Sequence, residues 1–221
     1  MIFQDDQEHM GKILDALERY ALSPTVFGSA EGEALCRGSG CPRKTPFSLI
    51  FKRRLCVDHS DTYTQLITFL DQHEVPYRLI DHQPEGRTEL VSPMRGNALS
   101  QAAKCIVLMV KIGKKVTRYI LAVVPGDARV DLNAVKALIE GTYVAFASSD
   151  IAERLAGSVA GTILPFSFNP ELELVVDPSL LENDEIYFNA ARLDRSMVLK
   201  TNDYIAVARP RLKRITHVHV K

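Results

Sequence analysis

Two apolar segments separated by a glycine turn constrain the fold of this chain more than any other feature. Residues 105–110 (CIVLMV) and 119–124 (YILAVV) are continuous apolar runs, far shorter than a membrane span. Gly113 lies between them, and Pro125-Gly126 follows the second run in an order that suits a type II turn. Short apolar runs bounded by turn residues are typical of strands buried on both faces. We therefore expect a central antiparallel hairpin.

Shorter signals around the hairpin predict a mixture of helices and strands. Asp131 is expected to cap one helix that Gly141 ends as a left-handed cap, and Asp150 with Glu153 resembles a capping box at the start of another. The predicted helices span 61–73, 98–103, 132–140, 150–156 and 201–209, and the other predicted strands span 77–81, 143–147, 172–176, 185–189 and 196–199. Helices and strands do not alternate strictly. We expect an α+β fold with a mixed, largely antiparallel sheet and flanking helices.

The first part of the chain differs in composition from the rest. An acidic amphipathic helix is expected at about 5–22, before a loop rich in Gly, Ser and Pro and a basic cluster at Lys52-Arg53-Arg54. This contrast predicts an extension at 1–58 and a globular domain at 59–221. The whole chain has 27 basic and 27 acidic residues, which excludes a strongly cationic nucleic-acid binder as its overall description. With no readable signal sequence or membrane span, we expect a cytoplasmic protein.

Common catalytic and metal-binding patterns are absent from the sequence. It has no G-x-S-x-G elbow, P-loop, dinucleotide glycine fingerprint or H-E-x-x-H helix. Cys36 and Cys41 lack a second pair at zinc-finger spacing, and His217 with His219 lacks a third ligand, so we expect no metal and no cofactor. Cys105 opens a buried strand without a nearby histidine. We expect it to point into an apolar core and not to act as a nucleophile.

Two features remain that could carry chemistry. Lys104 lies directly before the buried strand, where its ammonium group must either extend to the sheet edge or meet an anion. The segment Gly161–Pro165 (GTILP) places three residues between a glycine and a proline, which fixes a loop that can present backbone N–H and C=O groups to a ligand. Taken separately, each feature also has an ordinary structural interpretation.

Five blocks in order make this chain resemble a known family over about residues 60–212. The blocks are AAKCIVLMVK, LAVVPGDARVDL, GSVAGTILPFSF, VVDPSLLENDEIYFNAARLDRSMVL and TNDYI. Together they resemble the YbaK/ProX family of aminoacyl-tRNA deacylases, which also occurs as the editing insertion of bacterial prolyl-tRNA synthetases. The stretch RGNALSQAAK is similar to the freestanding YeaK-like branch, associated with seryl- or threonyl-tRNA mischarging. Nothing in residues 1–58 belongs to the pattern.

The resemblance implies a trans-editing hydrolase that cleaves the ester between a small amino acid, such as serine, and the terminal ribose of mischarged tRNA. It implies that Lys104 holds the phosphate or ribose end of the terminal adenosine and stabilises the developing oxyanion. It assigns substrate binding to these residues: Gly161, Thr162, Ile163, Leu164, Pro165, Asn189, Asp127 and His82. Ester hydrolysis of an activated acyl group needs positioning and oxyanion stabilisation more than a protein nucleophile, which fits the missing catalytic motifs.

One departure and one alternative accompany this interpretation. Some branches of the family carry a histidine in or beside the substrate loop, whereas residues 157–169 contain none. A water held by backbone groups is therefore the favoured nucleophile, and a hydroxyl or thiol of the substrate is the alternative. The alternative function is a non-catalytic module that uses the same pocket to bind the tRNA end or a small ligand.

Overall fold

The computed structural model describes residues 61–217 of the 221-residue chain. The predicted extension at 1–58, with its amphipathic helix, Cys36, Cys41 and its basic cluster, lies outside the described residues, as does His219. Between residues 61 and 217, no helix has the length and apolar character needed to cross a bilayer.

The described part of the chain contains five α-helices, two short 3-10 helices and eight strands. The helices are α1 (Thr62–Gln72), α2 (Thr88–Arg95), α3 (Leu132–Leu138), α4 (Ser149–Ala156) and α5 (Thr201–Ala208), with 3-10 turns at Leu99–Gln101 and Pro178–Glu182. The strands are β1 (Tyr77–Asp81), β2 (Ala103–Ile112), β3 (Val116–Pro125), β4 (Tyr143–Phe146), β5 (Leu172–Val176), β6 (Glu185–Asn189), β7 (Arg195–Lys200) and β8 (Arg211–Leu212).

These strands form two sheets. The larger sheet has the order β4-β2-β3-β5-β8, in which β4, β2 and β3 pair antiparallel while β3, β5 and β8 pair in parallel. The smaller sheet, β1-β7-β6, is antiparallel throughout. A single bridge between Ala102 and Tyr187 links the start of β2 to β6. The α+β class is confirmed, and the predicted central hairpin is the β2–β3 pair.

The second half of strand β3, residues 120–125, is buried on both faces, as its composition predicts, whereas Cys105, Ile106 and Met109 of β2 are only half-buried. Leu121 and Val123 pack into the core that includes residues of α1, α4 and α5, whereas Ile120, Ala122 and Val124 pack into a second core with α3. The alternation follows the two-residue period of a strand. Each large apolar side chain buried in this way stabilises the fold by about 1.5–3 kcal/mol, so the hairpin is a rigid support for the residues at its ends.

Some local predictions are wrong, for identifiable reasons. Helix α2 was not expected because its last turn contains Pro93, which cannot donate a backbone hydrogen bond. After α3 the residue with left-handed backbone is Glu140 and not the predicted Gly141. A glycine is needed at 141 for a different reason, because a side-chain carbon there would lie 2.5 Å from the Val110 side chain. The predicted capping box is absent because α4 has Ser148 as its N-cap, which places Asp150 inside the first turn, and Glu153 instead accepts a hydrogen bond from the Ala160 backbone. At 98–103 only a 3-10 turn forms.

Candidate active site

A cavity of about 270 Å³ lies where the two sheets approach each other. Four chain segments enclose it: the loop after β1 with helix α2, the start of β2, the loop after α4, and the end of β6. Its lining residues are Gly86, Arg87, Thr88, Glu89, Val91, Arg95, Ala103, Lys104, Cys105, Ile106, Gly161, Ile163, Phe188 and Asn189. Cavities that enclose a drug-sized ligand measure about 300–1,000 Å³, so this one suits a smaller group.

Lys104 is the charged residue that the rigid hairpin carries into this cavity. It sits opposite Val124 in the β2–β3 register, and its Nζ donates to Glu89 Oε1 over 3.4 Å. Glu89 lies in the first turn of α2, where a hydrogen bond from its own backbone N–H, together with the Lys104 charge, lowers its pKa. Because Glu89 is more than half exposed, this long ion pair contributes little stability. Lys104 can therefore exchange Glu89 for an anionic group of a ligand.

The loop after α4 approaches the cavity through a glycine–glycine contact. Gly161 has φ of 86°, a conformation that favours glycine, and a side-chain carbon added there would lie 2.8 Å from the Cα of Gly86. Gly86 has φ in the ordinary range but faces the Cα of Gly161 in the same way. The two backbones are thus packed together, and the loop wall of the cavity is fixed.

The predicted loop residues divide into two groups. Gly161 and Ile163 line the cavity, and within residues 61–217 their backbone N–H groups have no hydrogen-bond partner. Thr162, Leu164 and Pro165 are buried in the protein: the Thr162 hydroxyl donates to the Val159 carbonyl, Leu164 packs in the core, and the Pro165 carbonyl accepts from Tyr204. The second group therefore holds the loop in shape, while the first borders the cavity.

Asn189 ties both walls of the cavity to the smaller sheet. It is 7% exposed, and its Nδ2 donates to the Glu85 carbonyl over 2.9 Å and to the Gly161 carbonyl over 3.0 Å. Its Oδ1 accepts from the Ser196 hydroxyl on β7 over 2.9 Å. Both amide hydrogens are thus used within the protein. This geometry assigns Asn189 to positioning the loop.

The structure places the two other predicted binding residues away from the cavity wall. His82 follows β1, with Nδ1 2.8 Å from the Gln83 carbonyl oxygen and Nε2 2.7 Å from Ser196 Oγ. Since the Ser196 hydroxyl donates to Asn189, His82 contacts Asn189 only through Ser196. Asp127 is exposed at the turn after β3 and lines a separate, open depression beside Arg214 and His217. Asp127 does not line the cavity that Lys104 lines.

Cys105 and Arg95 line the cavity, and the sequence did not indicate either position. Cys105 packs against the larger apolar core, as expected, and also borders the cavity; burial raises the pKa of its thiol. A thiol with a raised pKa is protonated at neutral pH and is a poor nucleophile. Arg95, in the last turn of α2, is 9% exposed. Arginines at helix ends are usually solvated, so no sequence signal distinguished it.

Metal binding has no structural support in the described range. Among residues 61–217, no group of three or more His, Cys, Asp or Glu side chains is close enough to hold a metal ion. What the site offers is one ammonium group at its mouth, one buried guanidinium, and unpartnered backbone N–H groups on a fixed loop. Such an arrangement can bind a small acyl group and stabilise negative charge on oxygen.

Comparisons with known proteins show which family the described domain is similar to. The aminoacyl-tRNA editing domain family matches residues 82–207, which include Lys104 and the loop at 161–165. The multifunctional Ser/Thr-tRNA deacylase ProXp-y of Escherichia coli K12 is 44% identical over 154 residues, covering 69% of this chain and 92% of that protein. The protein of that name in Escherichia coli O157:H7 matches with the same values.

Two solved structures share the fold. The hypothetical protein APE2540 aligns with a TM-score of 0.63 at 19% identity, over 69% of this chain and 99% of that one. A protein described as a trans-editing enzyme for prolyl tRNA synthetase aligns with a TM-score of 0.59 at 18% identity, over 72% of this chain and 98% of that one. At these identities the likeness supports the fold alone.

Proposed function

Because the chain belongs to the family of aminoacyl-tRNA editing domains, we propose that it is a trans-editing hydrolase that deacylates mischarged aminoacyl-tRNA. The substrate is the ester between a small amino acid and the terminal ribose of tRNA, with seryl and threonyl esters first among them, as the name of the Escherichia coli relative states for that protein. The proposed location is the cytoplasm, because aminoacyl-tRNA, the substrate, is formed there. We assign this activity to the domain at residues 59–221.

One observation carries the assignment of the site: Lys104 and the loop at Gly161 line the same small cavity. Lys104 is held by the hairpin and, among residues 61–217, is paired only with the exposed Glu89. The Gly161 and Ile163 N–H groups lie on a loop fixed by Gly86 and Asn189. A cation and a fixed loop therefore border one space that suits an acyl group and excludes most of the tRNA.

The proposed chemistry is the attack of water on the ester carbonyl. Lys104 binds the phosphate or ribose end of the terminal adenosine at the cavity mouth and draws the ester inward. The N–H groups of Gly161 and Ile163 hold the acyl group so that the carbonyl carbon is exposed to water. The ribose oxygen then leaves with a proton. Because residues 157–169 contain no histidine, we assign no protein side chain as a general base in that loop.

The size of the cavity sets the expected selectivity. Ile163, Val91 and Phe188 line it with apolar side chains, and a cavity of about 270 Å³ favours a small amino acid over a bulky one. Discrimination between serine, alanine and threonine is expected to be modest, because one methyl group is worth about 1–3 kcal/mol in a pocket of this kind.

A panel of mischarged tRNAs tests the proposal. The purified full-length protein is incubated with tRNAs carrying serine, threonine, alanine, proline or phenylalanine, and release of the amino acid is followed. We expect release of serine and threonine and a rate that falls with side-chain volume. Binding of tRNA without release of any amino acid supports the alternative, a non-catalytic module that binds the tRNA end.

A further inference from the structure

Arg95 is buried in the cavity wall without the partners that a buried guanidinium normally has. The residue is 9% exposed, and its Nη1 donates to Ser196 Oγ over a long 3.4 Å. Its Nε is inaccessible and has no hydrogen-bond partner among residues 61–217. Of five N–H donors, this leaves one that is satisfied within the described part of the chain.

The other cations of the cavity are neutralised, whereas Arg95 is not. Arg87 pairs with Glu85, and Lys104 pairs with Glu89. Between residues 61 and 217, no carboxylate lies within ion-pair distance of Arg95, and burial lowers the pKa of its guanidinium to about 10. It still carries its charge at neutral pH. Burying an unpaired charge destabilises a fold, so an arginine retained in this position is expected to have a function other than stability.

We propose that Arg95 is a further catalytic residue, which binds the acyl oxygen of the ester as negative charge develops on it and then binds the carboxylate of the released amino acid. This inference rests on the proposed function. It separates two tasks: Lys104, at the exposed mouth, holds the tRNA end, and Arg95, the more deeply buried cation, meets the acyl group.

The reaction supplies an anion where the cavity lacks one. A water oxygen bonds to the acyl carbon, and the electron pair of the carbonyl bond moves onto the acyl oxygen. That pair returns as the bond to the ribose oxygen breaks, the ribose oxygen takes up a proton, and a carboxylate and a second proton are released. The charge therefore appears only after water attacks, so pairing with Arg95 favours the transition state over the bound ester.

Single-turnover deacylation of seryl-tRNA by the full-length Arg95→Met variant tests this role. Methionine approximates the length of the side chain and removes the charge. We expect the rate constant at saturating enzyme to fall by about 10- to 100-fold, while the concentration for half-saturation changes less than about threefold. The Arg95→Lys variant, which keeps the charge but not the planar fork, is expected to recover part of the rate.

Thermal stability distinguishes a catalytic role from a structural one. Removing an arginine that supports the fold lowers the Tm. Replacing an uncompensated buried charge with an apolar side chain leaves the Tm unchanged or raises it. We therefore expect the Tm of Arg95→Met to equal or exceed that of the wild-type protein. Arg211→Met, which removes an exposed arginine paired with Glu173 on β5, serves as the control and is expected to leave the rate unchanged.

Binding of free L-serine and L-serinamide provides a test that does not depend on catalysis. The two probes differ in the carboxylate, which the amide lacks. We expect the wild-type protein to bind L-serine more tightly, and the Arg95→Met variant to lose that preference. Equal binding of both probes to the wild-type protein, or an Arg95→Met rate constant within threefold of wild type, overturns the role of Arg95. Failure of the wild-type protein to deacylate seryl-tRNA instead overturns the proposed function itself.

Discussion

The backbone of Gly161 packs directly against the backbone of Gly86, so that a side-chain carbon at Gly161 would lie 2.8 Å from the Gly86 Cα and 2.9 Å from its carbonyl oxygen. This contact joins the loop after β1 to the loop after α4, and Asn189 reinforces it by donating to a carbonyl group in each. The cavity walls are thereby fixed before a ligand arrives, which is what a site that works by positioning requires.

Substitution of Gly161 by alanine tests the importance of that contact. The added carbon meets backbone atoms of Gly86 that cannot move aside as a side chain can, and φ of 86° is unfavourable for alanine. We expect deacylation of seryl-tRNA to fall by at least about tenfold in Gly161→Ala.

The matched control for this substitution is Gly113→Ala. Gly113 also has a positive φ, of 61°, but an added carbon there meets nothing within 4 Å. We expect Gly113→Ala to lose a little stability and no activity. If both variants deacylate seryl-tRNA at the wild-type rate, the close approach of the two loops has no functional role.

The predictable parts of the fold were those set by local pattern. The hairpin, strands β1, β5 and β6, and the end of α4 at Ala156 follow from apolar runs and their spacing. Helix α2 could not be predicted in this way, because Pro93 within it and the glycines on either side are residues typical of a loop. The sequence also could not indicate that the strands divide into two sheets, since that division depends on contacts between distant segments.

The candidate site was predictable only in part, for a related reason. Lys104 and the loop at 161–165 came from short motifs and the resemblance, and they meet in one cavity. The contribution of Gly86 and Arg95 depends on what each one contacts across the fold, which no local pattern encodes. Asp127 is the opposite case: it follows a turn that is recognisable in the sequence, but it lines a separate depression and not the cavity.

Asp177 is expected to be a main support of the fold near the end of the described chain. Its buried carboxylate accepts hydrogen bonds from Ser179 and from the backbone N–H groups of Ile215 and Thr216. Burial alone would raise the pKa of this carboxyl group, but the hydrogen bonds outweigh burial and lower it. We expect Asp177→Asn to lose about 2–4 kcal/mol of unfolding free energy at pH 7, measured with urea.

The pH dependence of that loss follows from the lowered pKa. The ionised carboxylate stabilises the fold above the unfolded-state pKa of about 4, and this contribution fades as the pH falls through the lower folded-state value. The stability gap between wild type and Asp177→Asn should therefore narrow below about pH 4. The control is Asp131→Asn. Asp131 is the N-cap of α3, and asparagine caps a helix about as well as aspartate, so little unfolding free energy should be lost. A gap that widens on acidification contradicts this account.

Removal of residues 1–58 is expected to leave a folded and active domain. The sheets and both cores are formed within residues 61–217. We expect residues 59–221 to keep the amino-acid preference of the full chain. Loss of Lys52, Arg53 and Arg54 should weaken tRNA binding and flatten its salt dependence, because up to three phosphate contacts disappear. A truncated chain that is insoluble, or that changes its preference, contradicts the proposed domain boundary.

The reaction is expected to need neither a metal nor a thiol. Treatment with a chelator should leave the deacylation rate unchanged, and Cys105→Ala should stay within about threefold of wild type because burial keeps the thiol protonated. The alanine variant is preferable to alkylation, since Cys105 lines the cavity and an adduct would obstruct it. Loss of activity with the chelator that zinc restores would refute the metal-free mechanism.

Lys104 is central to the proposed site, and deacylation of seryl-tRNA by Lys104→Ala tests it most directly. Losing a charge-assisted contact of about 1.5–3 kcal/mol lowers the rate by roughly 10- to 100-fold. Lys104→Arg is expected to fail as well, because a planar fork does not replace a compact ammonium group in a confined cavity. We predict that the alanine variant retains the wild-type circular dichroism spectrum and loses at least about tenfold in deacylation rate. Full turnover by Lys104→Ala on every mischarged tRNA of the panel would show that the reaction takes place elsewhere.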